Sequence, residues 1–331
     1  MEFIYFLIET IIKVIVVFAV VMLCVAYMTW LERKILGHIQ VRYGPNRVGP
    51  FGLLQPIADG IKAFFKEEVI PAKADKVLYV LAPAIPFVFV LSIFAVIPFG
   101  EPITLFGRKI KLCIADIPIG LLYCFAMASL AEYGIVLGGW SSYNKYGLMG
   151  ALRAAAQMVS YEIGLGLAVL GILMLSGTLN LSEIVRKQIE GHWFILYQPF
   201  AFLLFLICMF AEINRTPFDM PEAESELACG YNIEYSSMKF AMFFMAEYAH
   251  LLAVASLATV LFLGGWDGPF LPPELSWIWF AVKVFVLVFF AIWVRGTYPR
   301  LRYDQIMKFG WKVLIPLALA NVLVTGFVMA L

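Results

Sequence analysis

The chain has 331 residues, of which 63% are hydrophobic and 14% charged, and its mean hydropathy is +0.89. A soluble globule of this length could not cover so much apolar surface, so the composition predicts an integral membrane protein. The net charge is +1, and the basic residues are dispersed over loops, which argues against a nucleic-acid partner.

Eight segments are mostly apolar over about 20 residues, the length that a transmembrane helix needs. They predict an all-α integral membrane protein, in which residues 1–331 form a single transmembrane domain with a bundle of about eight spanning helices. The segments cover residues 4–30, 77–99, 115–137, 154–176, 194–213, 239–263, 276–296 and 311–331. An even number of spans places both termini on the same side of the membrane.

Lysine and arginine are distributed unevenly between the two sets of loops. The odd-numbered loops carry 17 of them and the even-numbered loops carry five. By the positive-inside rule, the odd-numbered loops face the cytoplasm and both termini are extracytoplasmic. The arginines of the last loop, Arg295, Arg300 and Arg302, fit this rule, and they also fit a docking surface for a peripheral partner.

Four acidic residues lie inside segments that are predicted to cross the membrane. They are Glu132, Glu162, Glu212 and Glu247, on four consecutive spans and in the half of the bilayer nearer the cytoplasm. Because a carboxylate in hydrocarbon is costly, such residues mark proton or ion pathways. We therefore predict that they form a buried, hydrated acidic path for protons.

The acids nearer the membrane surface have an alternative interpretation. Glu132 and Glu212 lie near the cytoplasmic ends of their spans, where a long side chain can reach the interface. Glu212 also lies three residues before Arg215, which could neutralise it. Glu162 and Glu247 lie about eight residues inside their spans, roughly 12 Å at 1.5 Å per residue, which is too deep to reach water easily.

The first cytoplasmic loop, residues 31–76, contains a segment with a helical apolar pattern. Its middle is rich in glycine and proline, which indicates a fixed irregular turn. Apolar residues then recur at helical spacing, at Leu53, Leu54, Ile57, Ile61, Phe64 and Phe65. The pattern predicts an amphipathic helix over about residues 51–66 that lies in the membrane interface. Such a helix could roof a side entrance for a lipid-soluble ligand, or it could simply anchor the loop.

The third cytoplasmic loop, residues 214–238, is acidic. Its acidic residues include Asp219, Glu222, Glu224 and Glu226, soon after Glu212. Pro221 followed by acids is typical of a helix start, since carboxylates are favoured at the positive end of the helix dipole. Their nearness to Glu212 also fits a proton-accessible mouth of the acidic path.

Cysteine and histidine residues give no sign of a metal site. The five cysteines and three histidines are scattered, and no cysteine pair has the close spacing of zinc or iron-sulfur ligands. We predict that this chain binds no metal and carries no redox centre of its own.

Four long motifs, in order along the chain, resemble one family. They are ERKILGHIQVRYGPNRVGPFGLLQPIADGIKAFFKEE from residue 32, EINRTPFDMPEAESELACGYNIEY from residue 212, FFMAEY from residue 243 and RGTYPRLRYDQIM from residue 295. They resemble the quinone-chamber membrane subunit of the proton-pumping NADH:quinone oxidoreductase, respiratory complex I. The resemblance extends along nearly the whole chain.

The resemblance implies roles for particular residues. The quinone tunnel would be lined or framed by Glu32, Arg33, Arg42, Asp59, Phe240 and Arg300. The buried proton channel would be formed by Glu132, Glu162, Glu212 and Glu247. An acidic loop linking quinone chemistry to that channel would contain Asp219, Glu222, Glu224 and Glu226.

The resemblance also implies the setting in which the chain works. The chain would be a subunit of a multi-subunit translocase, not catalytic alone, and would take ubiquinone or menaquinone as substrate. Electrons would come from an iron-sulfur cluster of a neighbouring subunit. The partners would be the peripheral-arm quinone-site and iron-sulfur subunits, small membrane subunits, antiporter-like subunits and membrane lipids. We expect a bacterial plasma (inner) membrane rather than an organellar inner membrane.

Two alternatives remain at the level of sequence. The related membrane subunit of proton-translocating hydrogenases shares the bundle but works without quinone. A secondary cation transporter also uses intramembrane carboxylates, although the chain shows no internal repeat and no paired half-length spans.

Overall fold

The computed structural model describes residues 2–105, 108–221, 224–270 and 272–330, and nearly all of its regular structure is helical. The helices are α1 (Glu2–Ile39), α2 (Gln55–Phe65), α3 (Lys76–Ile93), α4 (Gly120–Ser141), α5 (Lys145–Ser176), α6 (Leu181–Glu190), α7 (Phe194–Tyr197), α8 (Pro199–Glu212), α9 (Glu224–Leu227), α10 (Ser237–Phe262), α11 (Ser276–Thr297), α12 (Tyr303–Phe309) and α13 (Ile315–Ala330). Short 3-10 turns occur at Pro50–Gly52, Gly230–Asn232 and Pro273–Leu275, and a π-helical turn at Gly310–Leu314 joins α12 to α13. Strands β1 (Ile103–Leu105) and β2 (Arg108–Ile110) form an antiparallel hairpin in which Ile103 pairs with Ile110.

Within the described residues, seven helices are long and apolar enough to cross a membrane. An all-α integral membrane protein is therefore confirmed. The predicted fifth span, residues 194–213, differs because it is divided at Gln198 into the single turn α7 and the 14-residue α8. Pro199 explains the break, since it lacks the backbone N–H that would continue α7 and is well placed at the start of a new helix.

The long helices pack side by side around α5 and α10. Helix α4 lies between α3 and α5, helix α10 contacts α1, α3 and α11, and α8 and α13 both pack on α5. Glycines on α4 allow the closest approaches. A Cβ at Gly134 would lie 2.2 Å from Pro86 Cδ, and one at Gly139 would lie 2.4 Å from Ala151 Cβ. Small residues at these crossings let α3, α4 and α5 approach closely, as is usual between membrane helices.

Helix α2 occupies most of the segment that was predicted to be amphipathic. Its apolar side chains Ile57, Ile61, Phe64 and Phe65 are each more than half exposed. The helix is tied to the start of α10, because Ser237 Oγ donates to the carbonyls of Ala63 at 3.0 Å and Lys66 at 2.9 Å. Helix α2 therefore sits beside α1 and α10 with an apolar face turned away from the bundle. Its position in the membrane interface stays a prediction.

Candidate functional site

A small cavity inside the bundle collects acidic side chains from three separate helices. Its lining includes Glu132 of α4, Glu212 at the end of α8, and Glu247 and His250 of α10, and its volume is about 40 Å³. One water requires roughly 10–15 Å³ by this measure, so the cavity has room for a few. In the sequence His250 is only one of three scattered histidines, although its place one turn after Glu247 puts both on one helix face.

Glu132 and Glu212 are the most deeply buried of these acids. Their exposed fractions are 8% and 3%. Glu132 Oε1 and Glu212 Oε2 make no hydrogen bond to any residue that the structure describes. A buried carboxylate oxygen without a protein donor calls for a proton or for water, because burying it bare is costly. Both side chains line the cavity, where a water could satisfy them.

Glu162 belongs to the same group of acids although it does not line the cavity. Its Oε1 accepts a hydrogen bond from Ser129 Oγ of α4. Glu162 interacts electrostatically with both Glu132 and Glu212. The three carboxylates are therefore close enough for the charge of one to act on the others. The structure brings together the acids that the sequence placed on spans three, four and five.

Glu247 is different because it is held in an ion pair. Arg215 Nε lies 2.8 Å from Glu247 Oε1, and the two side chains are only 8% and 12% exposed. The guanidinium also lies over the ring of Tyr248, 4.7 Å from its centroid. The sequence indicated Arg215 only as a partner for the nearby Glu212. The interaction with Glu247 spans 32 residues and leaves no local signal in the sequence.

Arg215 also approaches a second acid, from helix α1. Its Nη1 lies 3.8 Å from Glu32 Oε1, and Glu32 in turn forms an ion pair with Arg295 at the end of α11. Glu32 is buried, with 7% of its surface exposed. Four charged groups, Glu32, Arg215, Arg295 and Glu247, thus form one connected cluster between α1, α10 and α11, which we call the arginine bridge. Neither arginine was predicted to belong to a site of this kind.

Four further residues that the resemblance assigned to a tunnel, Arg33, Asp59, Phe240 and Arg42, have three separate sets of contacts. Arg33 Nη1 pairs with Asp59 Oδ2 at 2.7 Å, which joins α1 to α2. Phe240, near the start of α10, is partly exposed and packs against Phe244. Arg42 is exposed and donates from Nε to Gln40 Oε1 at 2.7 Å. Arg42 is thus not in contact with the arginine bridge through any described bond.

The acidic loop is held by two arginines. Arg300 Nε donates to the backbone carbonyl of Asp219 at 2.9 Å, and its Nη2 lies 3.4 Å from Asp219 Oδ2. Arg153 of α5 pairs with Glu226 at 2.6 Å. The predicted helix start is present only as α9, a single turn that begins at Glu224. The predicted loop residue Glu222 and the side chain of Glu224 lie outside the described residues.

Three of the cysteines are buried, and two of these, Cys124 and Cys208, belong to the hydrophobic core of the bundle. Cys113, Cys124 and Cys208 are each less than a tenth exposed. Among the described residues, no group of three or more histidine, cysteine, aspartate or glutamate side chains is placed to hold a metal ion.

The fold and the site define a multi-pass membrane protein with a hydratable acidic cavity joined to a buried ion cluster. Residues 12–326 match the family model described as NADH dehydrogenase, and the chain belongs to this family. One similar protein is an H-type subunit of NADH-quinone oxidoreductase from Geobacter metallireducens, which is 56% identical over 98% of this chain and 96% of the relative. Another is an H-type subunit from Geobacter sulfurreducens, which is 56% identical over 96% of this chain and 94% of the relative. The H-type NADH-quinone oxidoreductase subunit of Syntrophotalea carbinolica is 54% identical over 97% of this chain and 96% of the relative.

Proposed function

We propose that this chain is the membrane subunit of a proton-pumping NADH:quinone oxidoreductase that forms much of the quinone tunnel and couples quinone reduction to proton translocation. The three relatives are named as subunits of an NADH-quinone oxidoreductase and match nearly the whole chain, which supports the quinone enzyme over the hydrogenase and transporter alternatives. All three are bacterial, which supports a bacterial plasma membrane. The charge distribution of the loops supports an orientation with both termini on its outer side.

The arginine bridge is the observation that carries this proposal. One guanidinium, that of Arg215, contacts Glu247 in the wall of the acidic cavity and approaches Glu32, which the resemblance places at the quinone tunnel. The two proposed sites are therefore joined through a single charged side chain. Charge interactions are strong in such a buried setting because little water screens them.

The chemistry at the tunnel would act on this bridge through charge. Reduction of a quinone to a quinol takes two electrons and two protons, and electrons that arrive before protons leave transient negative charge on the quinone. In this proposal, the electrons come from an iron-sulfur cluster of a neighbouring subunit. Negative charge near Glu32 draws Arg215 towards the tunnel and weakens its hold on Glu247. A less strongly paired Glu247 is more easily protonated, and the resulting change in its charge acts on Glu212 and Glu132 across the cavity.

The acidic loop would connect the same two regions from the cytoplasmic side. Arg300, which the resemblance assigns to the tunnel, donates a hydrogen bond to the Asp219 carbonyl. Glu226 forms an ion pair with Arg153 on α5, the helix that carries Glu162. Movement of the loop would therefore be transmitted to both the tunnel and the acid group. Helix α2, paired to α1 through Arg33 and Asp59, would lie in the membrane interface and frame the tunnel entrance, with lipids against its apolar face.

The neighbouring subunits complete the proposal. Peripheral-arm quinone-site and iron-sulfur subunits would close the tunnel, and small membrane subunits and antiporter-like subunits would receive the signal from the acids.

Neutral, isosteric replacement of the acids tests this function. Glu162→Gln and Glu132→Gln keep the side-chain shape but cannot exchange a proton, so protons translocated per NADH oxidised should fall while the complex remains assembled. Glu190→Gln is the matched control, since Glu190 is an exposed acid at the end of α6. The measurement is quinone-dependent NADH oxidation together with proton uptake in sealed membrane vesicles. Normal turnover and normal pumping in both the Glu132→Gln and the Glu162→Gln variants would overturn the proposal.

A further inference from the structure

Gln157 of α5 is a completely buried polar residue that belongs neither to the acid group nor to the arginine bridge. Its exposed fraction is 0%. Its side-chain Nε2 donates to the backbone carbonyls of Ala211 and Phe218, both at 2.7 Å, and lies 3.2 Å from Asn214 Oδ1. An amide NH₂ has two hydrogens, so the two short bonds use both and the longer contact to Asn214 shares one of them.

The partners of Gln157 are the two ends of one short segment. Ala211 lies in the last turn of α8, and its carbonyl accepts from Gln157 in addition to a backbone bond from Asn214 N at 3.3 Å. The chain then reverses direction at Asn214, whose φ of +55° is left-handed, a conformation that asparagine adopts more readily than most residues. Phe218 lies after the reversal. Gln157 thus binds the segment 211–218 on both sides of its turn.

This segment carries the two groups on which the proposed coupling depends. Glu212 and Arg215 both lie between the carbonyls that Gln157 holds. Asn214 lines the acidic cavity, as does Met158, the residue next to Gln157. The other side of the segment is fixed by the connection between α11 and α12, where Leu301 N donates to Pro217 O at 3.1 Å. The segment is therefore held between α5 and that connection.

We propose that Gln157 is a positioning residue that fixes segment 211–218 so that Glu212 faces the cavity and Arg215 reaches Glu247. This inference rests on the proposed function and adds to it a residue that touches neither quinone nor the transferred proton. A shift of Arg215 by one ångström directly away from Glu247 would lengthen their 2.8 Å contact beyond a direct hydrogen bond.

A second buried glutamine provides a matched control. Gln188 of α6 is 1% exposed, and its Nε2 donates to Val260 O at 2.8 Å. Its Oε1 accepts from the backbone N–H groups of Phe194 at 3.2 Å and Gly264 at 3.0 Å. Gln188 therefore ties α6 to the far end of α10, away from the cavity residues, with a comparable number of bonds.

The experiment compares Gln157→Leu with Gln188→Leu in the assembled enzyme. Each substitution removes an amide of similar burial, so both reduce stability. Only Gln157→Leu should lower turnover and protons translocated per NADH in the complex that remains assembled. We expect turnover to fall about tenfold, which corresponds to roughly 1.4 kcal/mol of activation free energy. The quinone KM should be unchanged, because the tunnel residues are not altered.

A third variant separates positioning from packing. In Gln157→Glu, the side chain keeps its shape, but it can donate one bond to the segment only when its carboxyl is protonated. The titratable groups of the cavity wall, Glu132, Glu212, Glu247 and His250, and the charged Arg215 on the segment are unchanged in this variant. Its turnover relative to the parent enzyme should therefore rise as the pH falls, whereas that of Gln157→Leu should not.

The possible results are distinct. Parental turnover and pumping in assembled Gln157→Leu would overturn the inference, and so would equal losses in the two leucine variants. If Glu132→Gln and Glu162→Gln impair pumping in the same membranes, such a result would leave the proposed function standing. If those acid variants are also normal, the proposed function itself fails.

Discussion

Replacing Arg215 should lower the stability of the assembled complex, and the loss can be assigned to one particular acid. Two unit charges 2.8 Å apart, the distance from Arg215 to Glu247, attract by about 6 kcal/mol at an effective dielectric constant of ~20. Desolvation opposes most of that attraction, but removing one partner leaves the other charge buried, which costs about 3–5 kcal/mol. Glu32 keeps its ion pair with Arg295 when Arg215 is lost. Replacing Arg215 therefore destabilises the buried charge of Glu247 more than that of Glu32.

This asymmetry predicts a specific pattern of rescue. Arg215→Gln should lower the thermal stability of the assembled complex and its quinone-dependent NADH oxidation. Adding Glu247→Gln removes the charge that has lost its ion pair with Arg215 and should restore most of the stability, with an interaction energy of about 1–3 kcal/mol in a double-mutant cycle. Adding Glu32→Gln instead should restore little, since it deprives Arg295 of its partner.

The assay is thermal inactivation of the assembled complex in membranes, with the amount of complex measured in parallel. Arg302→Gln serves as the control, because the side chain of Arg302 is 73% exposed and its pair with Asp304 should contribute little. Independent, additive effects of Arg215→Gln and Glu247→Gln would show that the two side chains do not stabilise each other. Equal rescue by Glu32→Gln would show that Glu247 is not the specific partner of Arg215.

Two further predictions concern the ends of the proposed pathway. Asp59→Asn removes the ion-pair partner of the half-exposed Arg33. Since exposed ion pairs contribute about 1 kcal/mol or less, the apparent quinone KM should rise no more than ~5-fold, and the complex should assemble normally. Steady-state kinetics with a short-chain quinone measures this, and an effect confined to assembly would argue against a tunnel role. Reversal of charge in Glu226→Arg should lower turnover, and the double reversal with Arg153→Glu should recover part of it. No recovery in membranes that contain normal amounts of complex would count against a functional contact between the loop and α5.

The helical bundle could be predicted because hydropathy reports each long span directly. Its boundaries could not be predicted equally well where polar residues extend a helix beyond the apolar run. Helix α5 begins at Lys145, nine residues before the predicted span, because Asn144 caps it by accepting a bond from Tyr146 N at 2.9 Å. In the same way α1 continues to Ile39 through the polar residues that follow its apolar segment. Apolar length alone does not reveal such extensions.

The acids of the cavity could be predicted for a related reason. An acidic residue within an apolar run is conspicuous in a sequence, so Glu132 and Glu212 are found without knowledge of the packing. The arginine bridge is not conspicuous, because each of its arginines lies at or just after the end of a helix on the side that the sequence predicts to be cytoplasmic, where positive charge is expected anyway. Glu32 and Arg295 are 263 residues apart and meet only when α1 packs beside α11. Gln157 was missed because a single amide in a helix carries no charge or spacing signal.

In the proposed mechanism, buried carboxylates in this chain change protonation when a quinone is reduced next to them. Redox-induced infrared difference spectra of the intact complex test it most directly, because protonated and ionised carboxyl groups absorb at different frequencies. We predict a carboxyl band that appears or disappears on quinone reduction, that is altered in Glu132→Gln or Glu212→Gln, and that weakens in Arg215→Gln. Spectra in which all three variants match the parent enzyme would rule out a protonation change of these carboxylates on quinone reduction.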